Sequence, residues 1–185
     1  MEPEGIALRM MAWRREKAGG MAAFERIMSQ SERRVLRVAL RLLNNPQDAQ
    51  DAAQEVFLRL YRHLGSLDET RGCEAWLHRV TVNVCHDIAR SRRHSVGLDD
   101  LPEPAAPLRG AHEDLERAQQ REIVRRGLSR LGEKERAALV LRDVEGLSTR
   151  EVAAILGSSE NTVRSQISTG RLKLREFAGR LLRKR

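Results

Sequence analysis

Apolar residues recur along this chain at intervals of three and four, and no β-branched run alternates with polar residues. That period belongs to helices rather than strands. Ile27, Val35, Leu36, Ala39 and Leu43 form one stripe and predict a helix over Phe24 to Leu43. Ala49, Ala53, Val56, Leu60 and Leu64 form a second. Asn45 is placed to cap that helix, with Pro46 at its first position, where a missing N–H does no harm. A third helix is expected from about Glu74 to Arg93, with Trp76, Leu77, Val80, Val84 and Ile88 on its buried side. The stretch "SVGLDDLPEPAAPLRGAH", residues 95–112, breaks the pattern with three of the five prolines in the chain. It reads as a flexible linker. The expected fold class is therefore all-α, with two small helical domains at 21–94 and 113–185. Residues 1–20 show no packing stripe and are expected to form a loose arm.

The second block carries the sharper local signals. Ser148-Thr149-Arg150-Glu151 is a capping box, in which the serine accepts from the fourth residue's amide and the glutamate reaches back. Val152, Ile155 and Leu156 face inward on the short helix that follows, Gly157 supplies a turn, and Ser158 or Ser159 caps the next helix. In that last helix Val163, Ile167, Gly170, Leu174, Phe177 and Leu181 fall on one side. Gly170 is unfavourable inside a helix unless another helix approaches closely there. Asn161, Arg164, Ser165, Ser168, Arg171 and Arg175 fall on the other side, with no acid between Asn161 and Arg175. A short helix, a glycine turn and a second helix with a small, polar and basic outer face match a helix-turn-helix. Small side chains let such a helix enter the major groove, where arginines reach guanine edges or phosphates.

Charge supports a polyanionic partner and adds a second one. The formal net charge is +8 and the pI about 10.6. From Ser158 onward eight basic residues face two acidic ones, a net +6. From Pro46 to Glu69 the balance reverses to −3. A basic end and an acidic middle suggest two different partners. Asp48, Asp51 and Glu55, with Gln54 beside them, make an acidic edge on the second helix. That edge fits ordinary solvation with a favourable helix dipole, or a docking face for a basic protein. In "NVCHDIARSRRH", Arg90, Arg92 and Arg93 cluster after Asp87, with Asn83 one turn earlier, and could touch DNA. Aromatics are only 3% of the chain, which limits base stacking as a mode of single-strand binding.

Other classes recede. Two cysteines, Cys73 and Cys85, form no CxxC and are expected to be reduced thiols rather than metal ligands. No nucleophile–base pairing, metal-ligand spacing or phosphate loop stands out, so neither enzymatic activity nor a cofactor is expected. Arg9, Arg14 and Arg15 interrupt any leader-like apolar run. No transmembrane-length stretch occurs, and a cytoplasmic location is expected.

Three segments in order resemble the small, two-domain extracytoplasmic-function (ECF) sigma factors of bacterial RNA polymerase, over about Phe24 to Arg183. They are "NNPQDAQDAAQEVFLRLYRHL", "AWLHRVTVNVCHDIARSRR" and "LVLRDVEGLSTREVAAILGSSENTVRSQISTGRLKLRE". The resemblance implies a sigma region 2 in the first block and a region 4 in the second. It implies a core-polymerase docking edge at Asp48, Asp51, Gln54 and Glu55. It implies minus-ten contacts at Arg79, Asn83, Arg90, Arg92 and Arg93, with Asn83 helping to hold a flipped base. It implies minus-35 contacts at Arg142, Thr149, Arg150, Arg164, Ser165, Ser168 and Thr169, beside Asn161 and Arg171 of the outer face. Core polymerase, promoter DNA and an anti-sigma factor are the implied partners. Ser168 and Thr169 depart from the family pattern, where an aromatic or basic residue is common. Thr149 and Arg150 stand where an aromatic and an acid are frequent. The alternative reading is a helix-turn-helix regulator that does not join polymerase.

Overall fold

The computed structural model describes the backbone of residues 3–64, 73–95 and 115–183, and side chains for 20–64, 73–92, 119–181 and 183. The expected linker lies almost wholly outside the described residues. Among them the structure is helical and contains no strand.

Helix α1 spans Pro3–Leu43. The expected arm and first helix are thus one continuous helix beginning at Pro3 rather than near Phe24. Residues 6–18 are mostly Ala, Leu, Met, Arg, Glu and Lys, strong helix formers that need no packing stripe to favour this backbone. The helix stops at Asn44, whose φ of 56° is left-handed and whose amide donates to the Leu40 carbonyl at 2.9 Å. Asparagine tolerates that conformation better than most residues.

Helix α2 spans Pro46–His63 and starts as its sequence predicts. Asn45 Oδ1 accepts from the amides of Gln47 at 2.9 Å and Asp48 at 3.2 Å. Ala49, Ala52 and Ala53 are buried along it, and their small side chains admit α1 closely. Val56 and Leu60 continue the buried stripe. Helix α3 spans Glu74–Ser95. Leu77 and Val84 are buried as expected, while Trp76, Val80 and Ile88 are only half-buried. His78, Thr81, Val82 and Cys85 are buried instead. The reason is that α3 is covered twice, by α1 and α2 on one side and by the second block on another. A single amphipathic stripe does not anticipate two neighbours.

The second block comprises α4 (Leu115–Ser129), α5 (Glu133–Leu139), α6 (Thr149–Leu156) and α7 (Glu160–Leu182). Helix α5 runs on into a π-helical turn, Val140–Val144, closed by the Glu145 amide on the Val140 carbonyl at 3.1 Å. Helix α7 lies across α5. Gly170 is the point of approach: a Cβ there would stand 3.1 Å from Leu139 Cδ1 and 3.7 Å from the Glu135 carbonyl. The two blocks also touch each other, α3 against α6 and α1 against α4 and α5, and their buried residues form one continuous apolar cluster.

Candidate nucleic-acid interface

The helix-turn-helix is α6, the turn at Gly157 and α7. Its caps form as the sequence dictates. The Ser148 hydroxyl accepts from the Glu151 amide at 3.2 Å, and Glu151 Oε2 accepts from the Ser148 amide at 2.7 Å. Hydrogen bonding from Ser148, its side chain first and its amide second, holds the Glu151 carboxyl below the usual range. Gly157 takes a left-handed φ of 60°, which a residue with a Cβ rarely adopts. Of the two candidate serines Ser159 is the cap, accepting from the Thr162 amide at 3.1 Å.

Asn161, Arg164, Ser165, Ser168, Arg171 and Arg175 are exposed on α7, opposite the buried Val163, Ile167 and Phe177. Arg142, Thr149, Arg164, Ser168, Arg171 and Arg175 line one basic concavity between the π turn, the start of α6 and α7. Arg142 is brought there by the π turn and donates to the Leu147 carbonyl at 3.0 Å. Arg150 is exposed at the start of α6, and Thr169 is half-buried. The face is less free of acid than its sequence window indicates. Asp143 pairs with Arg171 through two bonds of 2.9 and 2.5 Å, which raise the guanidinium pKa. Arg164 bonds Asn161 at 2.8 Å and Glu160 at 2.8 Å. Asp143 lies 28 positions before Arg171, so only the fold reveals it. Leu172, 53% exposed on the rim of the concavity, was not anticipated either.

The first block gathers the other candidates on α2 and α3. Asp51 and Gln54 are exposed, Asp48 and Glu55 half-buried. Asp48 Oδ2 accepts from Arg92 Nη1 at 2.6 Å, so two residues expected to meet different partners hold each other. Glu55 pairs with Arg59 at 2.8 Å, and Arg59 lies 3.9 Å from Asp87. Asn83 and Arg90 are exposed. Arg79 is exposed in part but donates to the Ala154 carbonyl of α6 at 2.8 Å. The side chain of Arg93 lies outside the described residues. Burial pushes the Cys85 thiol up to about 12, which keeps it protonated and inert. Among the described residues no cluster of His, Cys, Asp and Glu could hold a metal ion, and no helix is long and apolar enough to cross a membrane.

Helical throughout the described residues, with a basic helix-turn-helix in the second block and an acidic helix edge in the first, the chain has the features of a DNA-reading transcription protein. Residues 27–95 match the family model of sigma-70 region 2, and residues 121–174 match that of sigma-70 region 4. The ECF RNA polymerase sigma factor SigE of Mycolicibacterium smegmatis is 37% identical over 165 residues, which are 85% of this chain and 62% of that protein. The ECF RNA polymerase sigma factor SigM of Mycobacterium tuberculosis is 33% identical over 168 residues, covering 89% and 81%. The RNA polymerase sigma-H factor of Pseudomonas aeruginosa is 33% identical over 180 residues, covering 91% and 93%. The chain belongs to the sigma-70 family, among the ECF RNA polymerase sigma factors. Two solved structures share the fold. One is the sigma factor RpoE with the anti-sigma factor NepR from Bartonella quintana, at TM-score 0.68 and 21% identity over 85% of this chain and 97% of that one. The other is CnrH with the cytosolic domain of CnrY, at TM-score 0.64 and 24% identity over 88% and 91%. Sigma factors are non-enzymatic transcription initiation factors.

Proposed function

We propose that this chain joins core RNA polymerase, sets its first block on the minus-ten element and its second on the minus-35 element, and helps open the duplex. The carrying observation is the pairing, within one sigma-family chain, of a partly exposed acidic edge on α2 with a basic concavity at the helix-turn-helix. Asp51, Gln54 and Glu55 are the docking residues. Asp48 contributes by holding Arg92. Asn83 captures an unpaired base on the exposed side of α3, which offsets an unstacking cost of a few kcal/mol. Arg79, Arg90, Arg92 and Arg93 bind backbone nearby. Arg142, Thr149, Arg150, Asn161, Arg164, Ser165, Ser168, Thr169 and Arg171 meet the minus-35 duplex. The chain itself makes and breaks no bonds, and it works in the cytoplasm. RpoE and CnrH were each solved with a bound protein partner, and a comparable anti-sigma protein is proposed here.

Run-off transcription with purified core polymerase on genomic fragments tests this reading. Promoter-specific transcripts that appear only with the chain are expected. Reversing Asp51→Lys together with Glu55→Lys should abolish polymerase co-purification and leave the second block's DNA contacts intact. Polymerase that still co-purifies with that variant would remove the docking assignment.

A further inference from the structure

Two arginines on the outer face of α7 are held in opposite ways. Arg164 engages the end of its fork inside the protein: Nη1 donates to Asn161 Oδ1 and Nη2 to Glu160 Oε2, each at 2.8 Å. Arg171 is held from the side instead. Its Nε donates to Asp143 Oδ2 at 2.9 Å and its Nη2 to Asp143 Oδ1 at 2.5 Å. A guanidinium carries five N–H groups in one plane, so this side-on pairing leaves three of them, two on Nη1 and one on Nη2, directed at or beyond the far end. A parallel Nη1 and Nη2 pair is the donor set that fits guanine O6 and N7 in the major groove. The Arg171 side chain is 55% exposed, which leaves that end open to a duplex.

Asp143 is delivered to Arg171 by the π-helical turn, Val140–Val144, a backbone feature that is rare and frequent at functional sites. The same turn carries Arg142, which is anchored on the Leu147 carbonyl at 3.0 Å and lines the concavity with Arg171 and Ser168. A surface ion pair of this exposure adds little to stability, so orientation is its main consequence. Fixing a flexible side chain in advance removes part of the ordering cost that contact with DNA otherwise carries. The carboxylate also separates the two targets open to an arginine. A phosphate drawn to the end of the guanidinium brings its negative charge close to Asp143, and like charges repel. A guanine edge offers two acceptors without a net charge.

We infer that Asp143 is a specificity-determining positioning residue: it holds Arg171 side-on, so that the open end of the guanidinium reads a guanine edge and is steered away from phosphates. The inference rests on the second block meeting the minus-35 duplex, as proposed above. It adds to that interface an acid that raises selectivity while lowering affinity. A bidentate arginine–guanine pair discriminates against other bases by roughly five- to 150-fold. Without Asp143 the arginine can swing to a phosphate, so the guanine preference should collapse while total DNA binding holds or rises.

The test is selection from a promoter library randomised over the minus-35 segment. The full-length chain is captured by a tag in the presence of core polymerase, and the bound DNA is sequenced. The parent should enrich guanine, and Arg171→Ala should flatten one guanine position and weaken binding. Asp143→Ala should flatten that same position by about fivefold or more. It should leave the other positions and the helical circular dichroism unchanged, and bind random-sequence DNA at least as well as the parent. Asp143→Asn, which keeps the shape and one acceptor, should fall between. A parental profile retained by Asp143→Ala overturns the inference. So does flattening at a position that Arg171→Ala leaves alone, because Asp143 would then read a base itself. Equal loss on every sequence in Arg171→Ala overturns it too, by making Arg171 a phosphate contact. A parent chain with no base preference over the segment removes both this inference and the minus-35 assignment, whereas a preference that survives in Asp143→Ala removes this inference alone.

Discussion

At the scale of single residues, what the sequence marks and what the fold needs overlap without coinciding. Gly170 stands out in the sequence because glycine interrupts a helical stripe, and the structure supplies the reason in Leu139 at 3.1 Å from a notional Cβ. Gly127 drew no attention, since it lies near the end of a polar helix, yet its approach is tighter. A Cβ there would stand 2.6 Å from Leu174 Cδ2 and 3.4 Å from Phe177 Cδ1. Gly127→Ala is expected to lower stability by about 1 kcal/mol net. Overpacking costs about 1–3 kcal/mol, and the gain in helix propensity returns up to about 1. Denaturant unfolding measures this; an unchanged or higher midpoint would show that Leu174 swings aside freely. Caps were legible to the residue, as Asn45, Ser148 and Gly157 show, because each depends on chemistry within four positions. His78 and Glu145 were not legible, because nothing local requires a histidine or glutamate at those places to be buried.

At the scale of elements, the helix-turn-helix was readable almost in full because its core side repeats every three to four residues. Its electrostatics were not readable, because the acids that meet its arginines come from outside the window. Arg164 is held by Glu160 and Asn161, so it must release both to reach DNA. Both its ends are exposed, and such a surface pair contributes only about 0–1 kcal/mol. A bidentate contact to guanine contributes about 1–3 kcal/mol. On the proposed function DNA therefore wins the competition, at a discount set by Glu160. Arg164→Ala is expected to weaken promoter binding by about 1–3 kcal/mol, with the loss concentrated on one base position. Glu160→Ala should tighten it slightly. Binding assays on promoter variants at fixed salt distinguish the cases, since equal loss on every sequence would make Arg164 a phosphate contact.

At the scale of the whole molecule the sequence is nearly silent, because the contacts that join the blocks pair residues about a hundred positions apart. Arg37 and Glu145 are separated by 108 positions, Arg136 and Leu42 by 94. Arg136 is the joint on which this packing turns. Its guanidinium donates to Leu42 O at the end of α1, and to Leu128, Ser129 and Leu131 carbonyls after and within the last turn of α4, at 2.5, 2.8, 3.1 and 3.0 Å. The Leu42 and Ser129 carbonyls are acceptors of the kind that helix ends leave unsatisfied, and one planar fork serves two helices at once. Burial lowers the pKa of this arginine, which marks how much desolvation its hydrogen bonds must offset. Lysine keeps the charge but lacks the fork. Arg136→Lys is therefore expected to lose about 2–3 kcal/mol, given that charge-assisted hydrogen bonds contribute roughly 1.5–3 kcal/mol each and that lysine recovers some of them. The loss should also uncouple the blocks. The parent chain, with one continuous core, should unfold in a single calorimetric transition, and the variant in two, the second block first. A single transition shifted by less than about 0.5 kcal/mol, the range of an ordinary surface substitution, would mean that the blocks hold together without this joint.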